Sequence, residues 1–513
     1  MVMLIASVGL ILVWLMPRTA LDAGMKRSIT AVSTGIVVVL LLAWFVLFSG
    51  ARRTTRMLMA LIAVAIVGGA VASVRRIDFS GDMKPNFDWR WTTDRNVAVE
   101  RHRAATAGKQ RVVLGDISLG PDDVLEYRGA NRDGIVQGPA LARDWSQKQP
   151  VQVWRQPVGG GYAAFVVAGP LAITIEQRRD REAVVAYDAA SGAQLWLHEY
   201  PALFSEALGG AGPRATPTIA GNRVYALGAT GILTCLDLTT GKSHWSTNIL
   251  EINHCGNLDW GMAGSPLVDN GLVFVNPGTQ GGNKKSRAVL ALDAESGELR
   301  FGGGSGQAGY ASPMLATLAG LRQLLMFEGT ALVAYAVDTG EVLWRSEWKS
   351  DFDINAVQPI VLPDDQIFIT SNTGCSLLKI TRHDEGLTAS TQWKNRNLKG
   401  QYDCPISYQG YVYGLDDGIL VCLDLRDGKR RWKGGRFGNG QMLLTGDLLV
   451  ILGEQGELAL VQATPHMFTE LGRIQAIEGR TWNNPTLRSG RLFIRNHLEM
   501  AAFDLPLEPH SDP

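Results

Sequence analysis

One ten-residue pattern governs most of this chain. Tyr187-Asp188-Ala-Ala-Ser-Gly192-Ala-Gln-Leu-Trp196 returns as Leu236-Asp237-Leu-Thr-Thr-Gly241-Lys-Ser-His-Trp245 and as Leu423-Asp424-Leu-Arg-Asp-Gly428-Lys-Arg-Arg-Trp432. Leu292 to Phe301 repeats it through Asp293 and Gly297 with Phe in the Trp slot, and Tyr335 to Trp344 repeats it with Ala336 in the Asp slot. Glycine always stands four residues before the aromatic. Each copy reads as a strand, a tight turn needing positive φ, and a second strand whose aromatic packs on a neighbouring sheet.

A second marker opens each unit, a small or polar residue before proline: Thr216-Pro217, Ser265-Pro266, Ser312-Pro313, Gln358-Pro359, Cys404-Pro405 and Asn484-Pro485. Successive prolines lie 49, 47, 46, 46 and 80 residues apart, and the last interval is two units long, with a proline missing near Leu443. Residues 151 to 508, divided by a unit of about 45, give eight, and four short strands per unit of that length predict a β-propeller blade. Val151 to Arg155, with Trp154, matches the last strand of a unit, whereas the unit ending at Ala502-Phe503-Asp504-Leu505 lacks that strand. Joining the two ends completes an eighth blade and leaves no open edge. The expected fold is all-β: a monomeric ring of eight four-stranded antiparallel blades over residues 126–508, with a tail at 509–513.

The Leu236 to Trp245 turn resembles the pyrroloquinoline-quinone (PQQ) type repeat of quinoprotein dehydrogenases and of the BamB outer-membrane assembly factor. Tyr127-Arg128-Gly129-Ala130-Asn131-Arg132-Asp133-Gly134 is similar to the lead-in of bacterial membrane-anchored propellers of that family, with Ala130 in place of Pro. The resemblance is specific for fold and much less so for function.

Ahead of the ring, Val2 to Met16, Ser28 to Gly50 and Met57 to Val74 are uncharged and apolar, and the last two reach the length a bilayer requires. Residues 1–76 are therefore expected to form an anchor of two to three transmembrane helices, and 77–125 a polar tether with one short helix. Arg18, Lys26 and Arg27 flank one side and Arg52, Arg53 and Arg56 the other, so the charge rule gives no orientation. With three spans and a cytoplasmic start, the ring faces the periplasm from a bacterial plasma membrane. The 49 basic residues equal the 49 acidic ones, which argues against a nucleic-acid partner. That balance hides an asymmetry: residues 1–76 carry eight Lys/Arg and one Asp, leaving 41 against 48 in residues 77–513, a basic anchor followed by a mildly acidic ring.

Little in the sequence reads as catalysis. Gly304 to Gly309 matches GxGxxG but lies between blades, outside any strand-to-helix context, and Asp416-Asp417-Gly418 sits where a hairpin turns. No metal-ligand spacing appears. Cys235 and Cys422 occupy a slot filled elsewhere by Ala186, Ala291 and Ala334, so they read as small core filler on opposite blades, and no disulfide is expected. Cys404 takes the Ser/Thr slot before proline, and Cys255 stands in a long loop as the one candidate reactive thiol.

The family resemblance implies an alternative: PQQ in the axial funnel over a Trp, beneath an adjacent-cysteine disulfide, with calcium held by Glu, Asn and Asp. That would make the chain a membrane quinoprotein dehydrogenase oxidising alcohols or sugars. Adjacent cysteines are absent, the blades are close to minimal length, and no Glu, Asn and Asp set maps onto the calcium ligands. No catalytic and no metal residue is assigned. The segments before each first strand instead place Arg214, Trp260, Tyr310, Asn355, Tyr402, Asp403, Trp482 and Asn483 around one mouth of the axis, a concavity for a protein partner or a small-molecule ligand. The expected function is a membrane-tethered, non-catalytic binding scaffold.

Overall fold

The structure is a computed structural model and is described for residues 23–79, 85–106, 115 and 117–508. The N-terminal unit, up to Asp94, contains helix α1 (Ala23–Phe48), helix α2 (Arg53–Ser73) and an antiparallel hairpin in which Val74–Phe79 pairs with Pro85–Trp89. The Arg56 guanidinium donates to the Val46 carbonyl, tying the start of α2 to the end of α1. Among the described residues only α2 is long and apolar enough to cross a membrane, and none of its residues is buried. The apolar part of α1 shortens to Ser33–Phe48, because Lys26, Arg27, Ser28 and Thr30 occupy the turns before it. The stretch Val2 to Met16 lies outside the described residues.

The second unit, from Arg95, is a ring of eight antiparallel sheets of four strands each. Blades 1 to 7 occupy residues 166–201, 218–248, 267–303, 314–347, 360–395, 406–436 and 441–475, each ordered outward in chain sequence. Blade 8 is assembled from both ends of the domain: Val151–Pro157 is the outer strand beside Glu499–Asp504, with Val151 opposite Asp504 and Arg155 opposite Ala501. The expected closure is therefore present, and no disulfide joins the five cysteines.

The repeated motif works between blades. In each copy the aromatic stands directly across the ladder from the small residue two before the Asp slot: Ala186 faces Trp196, Cys235 faces Trp245, Ala291 faces Phe301, Ala334 faces Trp344 and Cys422 faces Trp432. The indole then reaches onto the turn of the next blade. Trp154 Nε1 donates to Ala189 O at 3.2 Å, Trp196 to Leu238 O at 3.0 Å, Trp245 to Ala294 O at 3.1 Å and Trp432 to Thr464 O at 2.8 Å. Beneath the ring lies the motif glycine of that next turn. A Cβ on Gly241, at φ +68°, would stand 2.5 Å from Trp196, and one on Gly297 would stand 2.6 Å from Trp245. The Asp slot builds the turn itself, Asp188 and Asp237 each accepting a backbone N–H three residues on and a hydroxyl from the same residue.

Two blades depart from the pattern. Blade 5 replaces the turn with a long hairpin (Gly374–His383 and Gly386–Asn395), yet Trp393 fills the aromatic slot and covers Gly428 of blade 6. Facing that hairpin rather than a motif turn, Trp344 donates to Gln323 of its own blade at 2.6 Å. In blade 7 the slot opposite Leu460 is Gly472, and Trp145, from the segment before the ring, packs into the vacated space with only 2% exposure.

The residue before proline has its own task. Its side chain accepts the backbone N–H of the equivalent residue one blade earlier: Ala164 N donates to Thr216 Oγ1 (3.0 Å), Thr216 N to Ser265 Oγ (2.9 Å), Ser265 N to Ser312 Oγ (3.0 Å) and Ser312 N to Gln358 Oε1 (3.2 Å). Gln358 N to Cys404 Sγ and Cys404 N to Gln441 Oε1, each at 3.4 Å, continue the series. Gln441 is thus the marker of the seventh unit, whose proline is missing.

Inside this girdle the lead-in fills the axis. Val124 bridges to Val167 of blade 1, Leu125 O accepts from Ile219 of blade 2, and Gly134 and Val136 bond to Leu444 of blade 7. Between them Arg132 donates to Ser265 O, Pro266 O and Pro313 O and pairs with Glu126 at 2.7 Å, while Arg128 donates to Pro405 O, Met442 O and Asn484 Oδ1. Gly134 is required because a Cβ there would meet the Arg128 guanidinium at 2.5 Å. Arg132→Ala leaves three buried carbonyls uncapped and Glu126 unpaired, and is expected to cost about 3 to 5 kcal/mol in urea unfolding. Gly241→Ala, which collides with Trp196 and strains the turn, should lower the denaturation midpoint by an amount equivalent to about 2 to 3 kcal/mol.

Candidate functional site

Antiparallel order puts the start of every first strand, the hairpin between second and third strands, and the end of every fourth strand on one face of the ring; the motif turns lie on the other. The lead-in carries Asp123, which pairs with Arg488 and accepts from Gly169 N on the motif-turn side, then rises to Arg128 and Arg132. It closes the axis from below, so the opposite face presents a blind funnel. Tyr127 forms part of the floor, its hydroxyl 3.5 Å from Cys404 Sγ and accepting from Asn484 Nδ2 at 3.4 Å. Burial pushes this phenol far above its ordinary pKa.

The rim falls into two aromatic groups. On blades 6, 8 and 1, Trp482 has Tyr402 at 4.9 Å and Tyr162 at 5.2 Å between ring centroids, with the Arg480 guanidinium 4.3 Å over its ring. Trp482 Nε1 donates to Glu454 at 3.0 Å, and Arg480 bonds the Tyr162 hydroxyl. Arg214 lies 5.7 Å over the same Tyr162 ring and 4.6 Å over Phe204, paired with Glu206 at 3.2 Å; burial draws its pKa below the usual arginine value. On blades 3 and 4, Trp260 meets Tyr310 edge to face at 5.8 Å.

Three of the expected rim residues lie deeper. Asn355 and Asn483 are fully buried and use their amide N–H groups to hold connectors: Asn355 Nδ2 donates to Glu328 O (2.8 Å) and Gly329 O (2.9 Å), and Asn483 Nδ2 to Ala163 O (2.9 Å). Asp403 occupies a slot that is Ala163, Ala215, Ala311 or Val357 in other blades and is 2% exposed. Its Oδ1 accepts from Gln401 N, and its Oδ2 has no protein partner. Burial pushes this carboxyl well above the carboxylate range, with Asp416 adding to the effect.

Helix α3 (Arg95–Thr106) covers the blade 8 and blade 1 side of this face. Arg95 donates to His497 O at 3.3 Å, His102 meets Gln156 at 2.9 Å, and Glu100 forms a two-point pair with Arg179 (2.6 and 2.8 Å). Elsewhere in the funnel wall, Glu182 is buried between blades 1 and 2, where it accepts from Tyr200 and from Ala229 N; burial raises its pKa. Cys255 is half-buried beside Asn253, and burial raises rather than lowers its pKa, the opposite of what an activated thiol needs. Gly304 to Gly309 is an interblade connector, and Asp417 and Gly418 form the hairpin turn of blade 6.

A flat quinone with three carboxylates and a calcium ion needs an open stacking face and a set of ionised oxygens. Trp482 is already enclosed by Arg480, Tyr402 and Tyr162, and of the two acids buried at the rim of this sector Glu454 is taken up by Trp482 Nε1 and Asn439 N while Asp403 is held toward its protonated form. Among the described residues no three or more His, Cys, Asp and Glu side chains gather as a metal site. The residues of the funnel do not fit that group as they stand.

Eight blades of this repeat around a plugged, aromatic-rimmed funnel define a propeller of the PQQ-repeat class. The sequence model of the family described as outer membrane protein assembly factor BamB matches residues 140–253 and 180–434, more than half of the chain, and the protein belongs to that family. No curated protein matches it. Among solved structures, quinohemoprotein alcohol dehydrogenase from Comamonas testosteroni is 13% identical, with a TM-score of 0.56 over 82% of this chain and 84% of that one. Quinohemoprotein alcohol dehydrogenase ADHIIG from Pseudomonas putida HK5 is 13% identical with a TM-score of 0.54 over 77% and 82%. BamB from Moraxella catarrhalis is 16% identical with a TM-score of 0.49 over 70% and 99%. For the two dehydrogenases the likeness is one of fold.

Of the eight rim positions expected from sequence, the structure brings Tyr402 to Trp482 and Trp260 to Tyr310. Sequence reasoning missed Tyr162, Arg480, Glu454 and Phe204. Tyr162 stands two residues before Ala164, the first-blade marker, and escaped because Phe165 replaces the proline there.

Asp403 supplies a pH test. Its native pKa is raised, so the folded state keeps a proton that the unfolded chain releases from about pH 4 upward, and stability falls as pH climbs through the native value. Asp403→Asn removes that loss: the variant should melt higher than the parent at pH 7 to 8, with the gap closing near pH 4.

Proposed function

We propose that this protein is a membrane-tethered, non-catalytic binding scaffold whose funnel face receives a protein partner on the periplasmic side of a bacterial plasma membrane. Helix α2, with α1 beside it in sequence, is the tether. The observation that carries the reading is the state of Trp482. Its surroundings are filled by its own chain, so the rim presents half-buried aromatic rings, backed by the buried Arg480 guanidinium, as a ready surface rather than an open slot for a flat cofactor. Half-buried Trp, Tyr and Arg are the side chains that contribute most per residue to protein interfaces. The closed floor restricts access to this one face.

Photo-crosslinkers at Trp260 and at Leu203, an exposed residue just past the last strand of blade 1 and so on the funnel face, in the full-length protein in its own membranes, should yield discrete protein adducts. Protease added to spheroplasts should digest the ring while leaving cytoplasmic markers intact. Dye-linked oxidation of alcohols or sugars on adding PQQ and calcium to the purified protein would overturn this reading in favour of the dehydrogenase alternative.

A further inference from the structure

The connector from blade 4 to blade 5, Trp348 to Asn355, is built to hold one side chain out. Its base is fixed at both ends. Trp348 is 2% exposed, donates through its indole to Ser371 Oγ at 2.9 Å and through its backbone N–H to Thr330 O, and Asn355 is clamped to Glu328 O and Gly329 O. Thr373 Oγ1 donates to Lys349 O at 3.0 Å, and Asp351 N donates to Asn372 Oδ1 at 3.1 Å. Gly329 lets the far side settle, since a Cβ there would lie 3.3 Å from Asp353 O.

At the tip the chain does what the fold does not need. Phe352 is left-handed (φ 60°, ψ 21°), and so is Asp353 (φ 57°). Aspartate tolerates that region, but a bulky aromatic does not favour it. Phe352 is also 87% exposed, so its ring contributes nothing to a core in return. Glycine would serve the turn better on both counts. A rigid base, an unfavourable backbone and an unburied ring together describe an anchor side chain kept for something outside the chain.

We propose that Phe352 is a docking anchor of the funnel face, inserting into an apolar pocket rimmed by Lys or Arg on a partner protein. This rests on the reading of that face as a partner surface. The exposed carboxylates of Asp351 and Asp353 on either side choose the partner's charge. They also select a protein over a lipid surface, because anionic headgroups repel an acid-flanked ring.

The test places p-benzoylphenylalanine at Lys349 in the full-length membrane protein and compares Phe352 with F352G, F352W and the double reversal D351K/D353K. A discrete protein adduct is expected, with its yield cut about tenfold by F352G and by the charge reversal and retained by F352W. F352G should meanwhile melt no lower than the parent, which separates lost binding from lost folding. An adduct unchanged in F352G, adducts with lipid alone, or no adduct at Lys349 while Leu203 and Trp260 capture a partner would each overturn the anchor. Silence at all three positions would overturn the partner surface itself.

Discussion

The ring depends on a contact between blades: an indole from the outer strand of one blade lies on the motif glycine of the next and donates to the carbonyl beside it. Each such contact removes a large aromatic from water and satisfies its N–H at once. It needs a turn with no Cβ under the ring, and in the copies that carry the motif a small residue, Ala or Cys, stands across the ladder from the aromatic. Thus aspartate, glycine and aromatic recur together because they are three parts of one joint. Where the joint is broken, the chain repairs it. Trp145 is brought from outside the ring to fill the space above Gly472, and Trp344 finds Gln323 when blade 5 offers a long hairpin instead of a turn.

A second constraint acts at the axis. Eight first strands converging on a common centre leave a channel lined by backbone carbonyls near Ser265, Pro266, Pro313, Pro405 and Met442. Buried carbonyls without partners are costly. The polar side chain before proline ties each strand to its neighbour, and Arg128 and Arg132 of the lead-in cap the carbonyls that remain. The same plug that completes the core makes the funnel blind. With the axis filled from the motif-turn side, the open concavity lies among the connectors of the opposite face, where Tyr162, Tyr402, Arg480 and Trp482 form one group and Trp260 and Tyr310 another.

How much was legible follows from how local the signal is. The motif turn lies within ten residues, so its copies, the unit length and the split eighth blade could be read directly. Trp393 escaped because its blade lacks the turn, although its place on Gly428 is the same as that of Trp196 on Gly241. The small slot of Cys235 and Cys422 was visible as an alignment, but its reason, the indole directly opposite, lay in strand register. At the rim the alignment located the connectors and misjudged depth: Asn355, Asp403 and Asn483 are buried, because exposure depends on neighbours drawn from other blades.

The sequence by itself determined that this chain is an apolar N-terminal segment followed by eight blades closed by a shared strand, because period, turn chemistry and terminal half-units are local properties. Only the tertiary structure decided what the lead-in does and what the funnel offers. Arg128 and Arg132 find their carbonyls on blades more than 130 residues away, and Trp482, beside its sequence neighbour Arg480, acquires Tyr402 and Tyr162 from other blades only when the ring closes. Contacts set by closure have no spacing in the chain to be read from.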